Sequence, residues 1–393
     1  MEFIDLKARY RRTEPRIRAR LDAVLEHGRF IMGPEVAELE AELARFSGAK
    51  HCVSCSSGTD ALLMALMAWG VGPGDAVFLP AFSFFATGEA PALLGATPVL
   101  VDIDPATFNM DASALEKAVE AVAKRDPSIY PLPAPARERT LKPRAVIPVD
   151  LFGQSADYDA LLAVADKHDL SVLEDAAQSF GAEYRGRKTC ALGCHIAATS
   201  FFPAKPLGCF GDGGAAFTES DETAETLRSI RAHGKGDDKY DNVRIGLNGR
   251  LDTLQAAILL ANLEVFPEEV EARQRVAARY AENLSNMEGI VAPAARADRR
   301  SVWAQYTARV TGGRRDAVAA GMKARGVPTN IYYPTPMHLL AAFAHLGYAP
   351  EDMPKAHAAS GEVLSLPFHP YMTEDEVGIV AAALRGAVKE AGR

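Results

Sequence analysis

From about Lys50 to Thr218, short apolar runs alternate with amphipathic stretches. The runs fall at His51 to Cys55, Ala76 to Leu79, Thr97 to Val101, Ala145 to Val149, Ser171 to Glu174, Ala197 to Phe202 and Ala215 to Thr218, and each reads as a strand. Several are followed by segments of helical character, such as Asp60 to Trp69, Tyr158 to His168 and Asp221 to His233. Strands joined by helical crossovers form a largely parallel sheet, and the ligands of such a sheet gather at the carboxyl ends of its strands.

Beyond Arg250 the period changes. Leu251, Leu254, Ile258, Ala261 and Val265 recur at helical spacing and predict one apolar helix face. The helical signal continues from Glu268 to Leu284, after which Gly289 to Gly313 and Val327 to Tyr333 read as strands of a smaller α+β unit. A boundary inside the long helical region divides the chain into a large domain, 29–264, and a small C-terminal domain, 265–393, which the N-terminal segment 1–28 joins. Asp126 to Pro143 carries several prolines and basic residues without periodicity and is expected to be an inserted loop.

The chain has 393 residues, 48% of them hydrophobic and 24% charged, which supports a sizeable core and excludes a disordered composition. The 43 Lys and Arg against 51 Asp and Glu leave a net charge of -8, the opposite of what a nucleic-acid partner calls for. Asp75, Glu89 and Asp102, with repeated Gly and Pro, interrupt every candidate membrane span, and the first residues carry charges where a signal peptide needs its apolar core. A cytoplasmic protein without a membrane partner is expected. Five cysteines do not make a disulfide framework. Cys52 and Cys55 are three apart on a strand, which sends them to opposite faces, so no metal site is expected and the cysteines read as buried thiols. His195, beside Cys194, reads as structural.

Three stretches could carry chemistry. Lys205 follows an apolar strand, stands between Pro203 and Pro206, and precedes Gly208 and Gly211-Asp212-Gly213-Gly214. A partly desolvated ammonium there loses basicity and becomes available as a nucleophile, although a turn lysine reaching solvent would show the same pattern. Glu174-Asp175-Ala176-Ala177-Gln178 ends a strand in carboxylates and an amide. A carboxylate at that place can hold a proton on a heteroaromatic nitrogen, or simply cap the next helix. Alternation sends Glu174 and Asp175 to opposite faces, and Asp175 is the better candidate. Ser56-Ser57-Gly58-Thr59-Asp60 joins a strand to an apolar helix and offers N–H groups, hydroxyls and a helix dipole to an anion; a plain N-cap by Thr59 would account for it equally. Phe82, Phe84 and Phe85 lie near a strand end, where a ring can stack on a planar ligand or pack in the core.

In their order along the chain, the turn at Ser57-Gly58-Thr59, Glu174 to Gln178, Ser200 to Lys205 with its glycine-rich sequel, and Gly246-Leu247-Asn248-Gly249-Arg250-Leu251 resemble the DegT/DnrJ/EryC1/StrS family of pyridoxal-phosphate-dependent nucleotide-sugar aminotransferases. Gly33-Pro34-Glu35-Val36, Gly72-Pro73-Gly74-Asp75, Val101 to Asp104 and Tyr332-Tyr333-Pro334-Thr335-Pro336 match as well, so the likeness covers nearly the whole chain. It implies an α/β fold of the aspartate aminotransferase type, with a large, mostly parallel sheet and a small C-terminal domain.

Carried over by residue, the resemblance makes Lys205 the catalytic lysine that forms the internal aldimine. Asp175 would pair with the pyridine nitrogen, Gln178 with the ring hydroxyl, and Phe84 with the ring face. Gly58, Thr59 and Ser200 would hold the phosphate, while Asn248 and Arg250 would reach it from the neighbouring subunit of a homodimer. Tyr332, Tyr333 and His338 would line the sugar pocket, with Tyr332 where relatives carry histidine. L-Glutamate would be the donor, and a UDP-linked 3-keto hexuronic acid of O-antigen synthesis the acceptor, with a 4-keto deoxysugar as the alternative. Lys205 argues against the dehydratase branch, where that lysine is replaced, and the charge argues against a regulatory, DNA-binding role. Arg29, Lys235, Lys239 and Arg244 could border the site, but each reads first as a solvated charge.

Overall fold

The computed structural model describes residues 1–238 and 240–392. The strands, in chain order, are β1 (His51–Cys55), β2 (Asp75–Pro80), β3 (Thr97–Val101), β4 (Lys142–Val146), β5 (Ser171–Asp175), β6 (Glu183–Tyr184), β7 (Arg187–Lys188), β8 (Ile196–Ser200), β9 (Gly214–Thr218), β10 (Ile290–Val291), β11 (Arg299–Arg300), β12 (Tyr306–Val310) and β13 (Val363–Leu366). The helices that position the site are α1 (Leu6–His27), α2 (Pro34–Ser47), α3 (Gly58–Ala68), α4 (Ala86–Leu93), α5 (Ala112–Lys124), α6 (Ala134–Glu138), α7 (Tyr158–Lys167), α8 (Asp221–Arg231), α9 (Thr253–Leu263) and α10 (Phe266–Leu284).

One sheet of seven strands runs in the order β1-β9-β8-β5-β4-β2-β3. Only β9 runs against the others, since it pairs antiparallel with both β1 and β8 while the remaining pairs are parallel. These strands are buried on both faces because helices cover both sides, so they read as continuous apolar runs. One face packs Leu79, Leu100, Ile147 and Leu173 against α3, α4 and α8. The other packs Phe78, Val99 and Val146 against α5 and α7. Cys52 and Cys55 enter different clusters, as the alternation of β1 requires. All five cysteines are free, and His195 accepts a hydrogen bond from the Val172 N–H at 3.1 Å, a structural contact.

A second sheet has the order β10-β12-β13, and β6, β7 and β11 form a short third one. The strand expected over Val327 to Tyr333 does not form: among the described residues this segment pairs through the single bridge between Asn330 and Ser365. Ile331, Tyr332 and Tyr333 are apolar because they pack on the main core from an irregular segment. Asp126 to Pro143 is not a plain loop either. It contains α6 and the start of β4, and Leu132, Ala136 and Leu141 anchor it in the core. Helix α9 was expected to have one apolar face, but is buried all round. Ile258 and Ala261 meet Ile17 of α1 on one side, while Ala256, Leu259 and Leu260 join Leu39 and Leu43 of α2 on another. The N-terminal segment therefore rests on α9, and its leader reaches the C-terminal part of the chain through the Phe368 N–H, which donates to the Phe3 carbonyl at 3.0 Å. Among the described residues no helix is long and apolar enough to cross a membrane.

Candidate active site

A cavity of about 450 Å³ opens where β1, β2, β5 and β8 end, and its wall includes Gly58, Thr59, Phe84, Asp175, Gln178, Ser200, Lys205, Tyr332 and Tyr333. Nine residues singled out in the sequence are thus brought together, at the sheet edge where a parallel sheet holds its ligands.

The turn after β1 is built for close approach. Ser57, not Thr59, caps α3, its Oγ accepting from the Asp60 N–H at 3.0 Å. Gly58 and Thr59 occupy the first helical positions, whose N–H groups lie outside the intrahelical ladder and point at the site with the positive end of the dipole. A Cβ on Gly58 would stand 2.7 Å from Ser200 Cβ, so only glycine lets the turn pass this close to the end of β8. A side chain on Gly214 would strike the main chain of Ser57. The result is an anion cradle of free N–H groups with the Thr59 and Ser200 hydroxyls beside it.

Across the cavity, Asp175 is 4% exposed. The Thr87 hydroxyl donates to its Oδ2 at 2.9 Å, and the Ala177 N–H to its Oδ1 at 3.2 Å. Thr87 in turn shares a 3.0 Å hydrogen bond with Ser83. Burial pushes the Asp175 carboxyl up, while these two donors and the Lys205 ammonium pull it down. Lys205 is held below the usual lysine range by burial, and Asp175 opposes that shift. An amine so placed has lost basicity without losing its charge partner, as a nucleophilic lysine requires. Glu174 faces away, its Oε1 accepting from the Cys190 N–H at 2.8 Å.

The Gln178 amide is fixed at both ends: its Oε1 accepts from the Phe152 N–H at 2.8 Å and its Nε2 donates to the Tyr333 hydroxyl at 3.1 Å. Phe84 is 56% exposed, with its ring centroid 6.2 Å from that of Tyr333, and is free to cover a flat ligand. Gln305, just before β12, also lines the cavity, and its buried Oε1 has no partner among the described residues. Thr87 and Gln305 are functional candidates that the sequence reading missed. Thr87 lies four residues after Ser83 in an apolar stretch, a pairing of hydroxyls that could have exposed it; Gln305 gave no such signal.

Other candidates lie elsewhere. His338 is 2% exposed and outside the cavity wall, which corrects its expected role as a sugar contact: it follows the buried Pro336 and Met337 into the core. Asn248 is exposed and Arg250 half-buried, both outside the cavity of their own chain. Arg29, Lys235 and Arg244 are exposed, also away from it, and Lys239 lies outside the described residues. No group of three or more His, Cys, Asp and Glu among the described residues could hold a metal ion.

The cavity fits a phosphorylated, aldehyde-bearing pyridine: an anion cradle at one end, a carboxylate held by donors at the other, and an amine between them. Residues 12–385 match the model of the DegT/DnrJ/EryC1/StrS aminotransferase family. The chain belongs to this family. It is 48% identical to the UDP-2-acetamido-2-deoxy-3-oxo-D-glucuronate aminotransferase of Pseudomonas aeruginosa over 98% of this chain and 99% of that one. A family aminotransferase from Brucella abortus superposes with a TM-score of 0.92 at 46% identity, covering 98% of this chain and 99% of that one. NtdA of Bacillus subtilis, solved with bound cofactor PMP, superposes with a TM-score of 0.86 at 28% identity over 99% of this chain and 85% of that one. The chain is therefore a pyridoxal-phosphate-dependent sugar aminotransferase with the expected α/β fold and its large, mostly parallel sheet.

Proposed function

We propose that the enzyme transfers an amino group from L-glutamate to a UDP-linked 3-keto hexuronic acid, with Lys205 as the covalent partner of the cofactor. The observation that carries this reading is the placement of the Lys205 amine and the Asp175 carboxylate in one cavity with the anion cradle. When bound, pyridoxal phosphate supplies an aldehyde that condenses with amines and a protonated ring that takes up electrons. Asp175, kept in place by Thr87 and the Ala177 N–H, holds the proton on the ring nitrogen. Gln178 would meet the ring hydroxyl, Phe84 would cover the ring, and Gly58, Thr59 and Ser200 would bind the phosphate. The Lys205 amine would move the proton between substrate carbon and cofactor carbon as a base weakened by burial.

Tyr332, Tyr333 and Gln305 meet the sugar. The likeness to the Pseudomonas enzyme supports the hexuronate, and a use in O-antigen synthesis belongs to the same proposal. The homodimer belongs to the same proposal: Asn248 and Arg250 stay out of their own cavity, and the segment that carries them displays Val243 and Ile245, the latter 85% exposed. Exposed apolar side chains of that kind favour a partner surface. The two segments on either side of Glu264 remain our division into large and small domains, and the free thiols suit the reducing cytoplasm.

A panel of UDP- and dTDP-linked 3-keto and 4-keto sugars, each assayed for glutamate-dependent amination, tests the substrate. Amination of the hexuronate is expected; an inert hexuronate beside a reactive 4-keto deoxysugar would replace it with the latter. Mixing Lys205→Ala with Asn248→Ala protein tests the shared site, since hybrid dimers should regain activity and self-contained chains would not.

A further inference from the structure

Behind the cavity, the side chain of Arg9 reaches the main chain of the lysine itself. Arg9 lies on α1, 6% exposed. Its Nη2 donates to the Pro206 carbonyl at 2.7 Å and its Nη1 to the Lys205 carbonyl at 3.4 Å. The same guanidinium donates to Glu269 of α10, through Nη2 to Oε2 at 3.0 Å and through Nε to Oε1 at 3.3 Å. Glu269 is 2% exposed and accepts a further hydrogen bond from the Tyr371 hydroxyl. Asn262 of α9 holds the other end of the loop, its Nδ2 donating to the Gly208 carbonyl at 2.9 Å. The loop's own bonds are local, Lys205 N–H to Phe202 O and Cys209 N–H to Phe201 O, both at 2.8 Å.

A buried ion pair contributes little net stability, because desolvating both charges roughly offsets their attraction. Its value is directional: a planar guanidinium oriented by a bidentate carboxylate presents its remaining donors at fixed angles. Here those donors end on two consecutive carbonyls, the first of them that of the cavity lysine. We propose that Arg9, oriented by Glu269, is a positioning residue that fixes the Lys205–Pro206 main chain and thereby places the lysine amine for its covalent bond to the cofactor. The proposal rests on Lys205 being that covalent partner.

The two cofactor forms separate this role from a general structural one. Pyridoxal phosphate condenses with the lysine amine, its aldehyde oxygen leaving as water, whereas pyridoxamine phosphate has no aldehyde and is held by the other contacts alone. The experiment loads full-length enzyme with each form and follows cofactor loss on dilution, with thermal melts in parallel. Arg9→Lys keeps the charge opposite Glu269 but loses the fork; the pair Arg9→Met with Glu269→Gln removes both charges of the pair together. In both proteins the aldehyde form should leave about tenfold faster than from wild type, a loss of the size expected for misplacing one reacting group, while the amine form leaves at the wild-type rate. Equal acceleration of both forms, or no change in either, would overturn the proposal. Borohydride mapping of the wild type keeps the two readings apart: an adduct away from Lys205 defeats the site assignment itself, whereas an adduct on Lys205 with unaffected variants defeats only the role of Arg9.

Discussion

Glu174 and Asp175 end the same strand, both buried, and they face opposite sides of the sheet. On the closed side, Glu174 has one N–H donor and lies against Asp150. Burial and that second carboxylate push it well above the ordinary range. On the open side, Asp175 meets a hydroxyl, an N–H and a cation, each of which favours its charge. The same burial thus leaves Glu174 beside another carboxyl on one face and surrounds Asp175 with donors on the other. What makes a functional group is the set of donors aimed at it, together with an opening for a ligand.

The sharpest way to break this comparison is to neutralise each carboxylate in turn. Asp175→Asn keeps the shape and removes the charge, and should lower the rate of transamination by about 10²- to 10³-fold with little change in melting temperature. Thr87→Val removes one donor and should cost about tenfold. Because that donor holds the Asp175 carboxyl down, its loss raises the carboxyl's pKa, and the acid limb of the pH–rate profile should move to higher pH. Gln305→Leu should raise the KM for the keto-sugar by up to about tenfold while the half-reaction with glutamate is unchanged, since a buried acceptor that awaits a ligand donor matters only when that ligand binds. An equal effect on both half-reactions would show that Gln305 serves the fold instead.

Glu174→Gln should leave the rate unchanged, and its effect belongs to stability. Asp150, also buried, is pushed up to about 6 from an ordinary value near 3.8. Its proton is retained by the folded chain at a pH where the unfolded chain has released it, so this contribution to stability is full below about pH 4 and declines as pH rises towards 6. Glu174 is itself raised, by burial and by Asp150, so Glu174→Gln removes a second group of this kind, and melting temperatures measured from pH 4 to 7 should then fall less steeply. A loss of activity in Glu174→Gln comparable with that of Asp175→Asn would end the distinction between the two faces.

The large sheet was legible because strands covered on both faces must be apolar throughout, and β1, β3 and β5 fall within a residue of the runs that predict them. The site was legible where its residues form local motifs: the turn at Gly58, the end of β5 and the lysine loop. The small sheet was not, since β10 has two residues and the apolar run at Val327 to Tyr333 serves the core and cavity without pairing. Nor were Thr87, Gln305 and Arg9, whose partners only folding supplies: Thr87 reaches Asp175 across 88 positions and Arg9 reaches Pro206 across 197. A single polar residue on a helix carries no mark of what it will meet.

The role of Lys205 admits a direct measurement. The purified enzyme is reduced with borohydride, digested, and its peptides mapped by mass spectrometry, once as prepared and once after incubation with glutamate. One pyridoxyl adduct on Lys205 is expected in the first sample, strongly diminished in the second because the cofactor then carries the amino group itself. An adduct on another residue, or one on Lys205 that no amino-acid donor diminishes, would contradict the assignment of this lysine and of the reaction built on it.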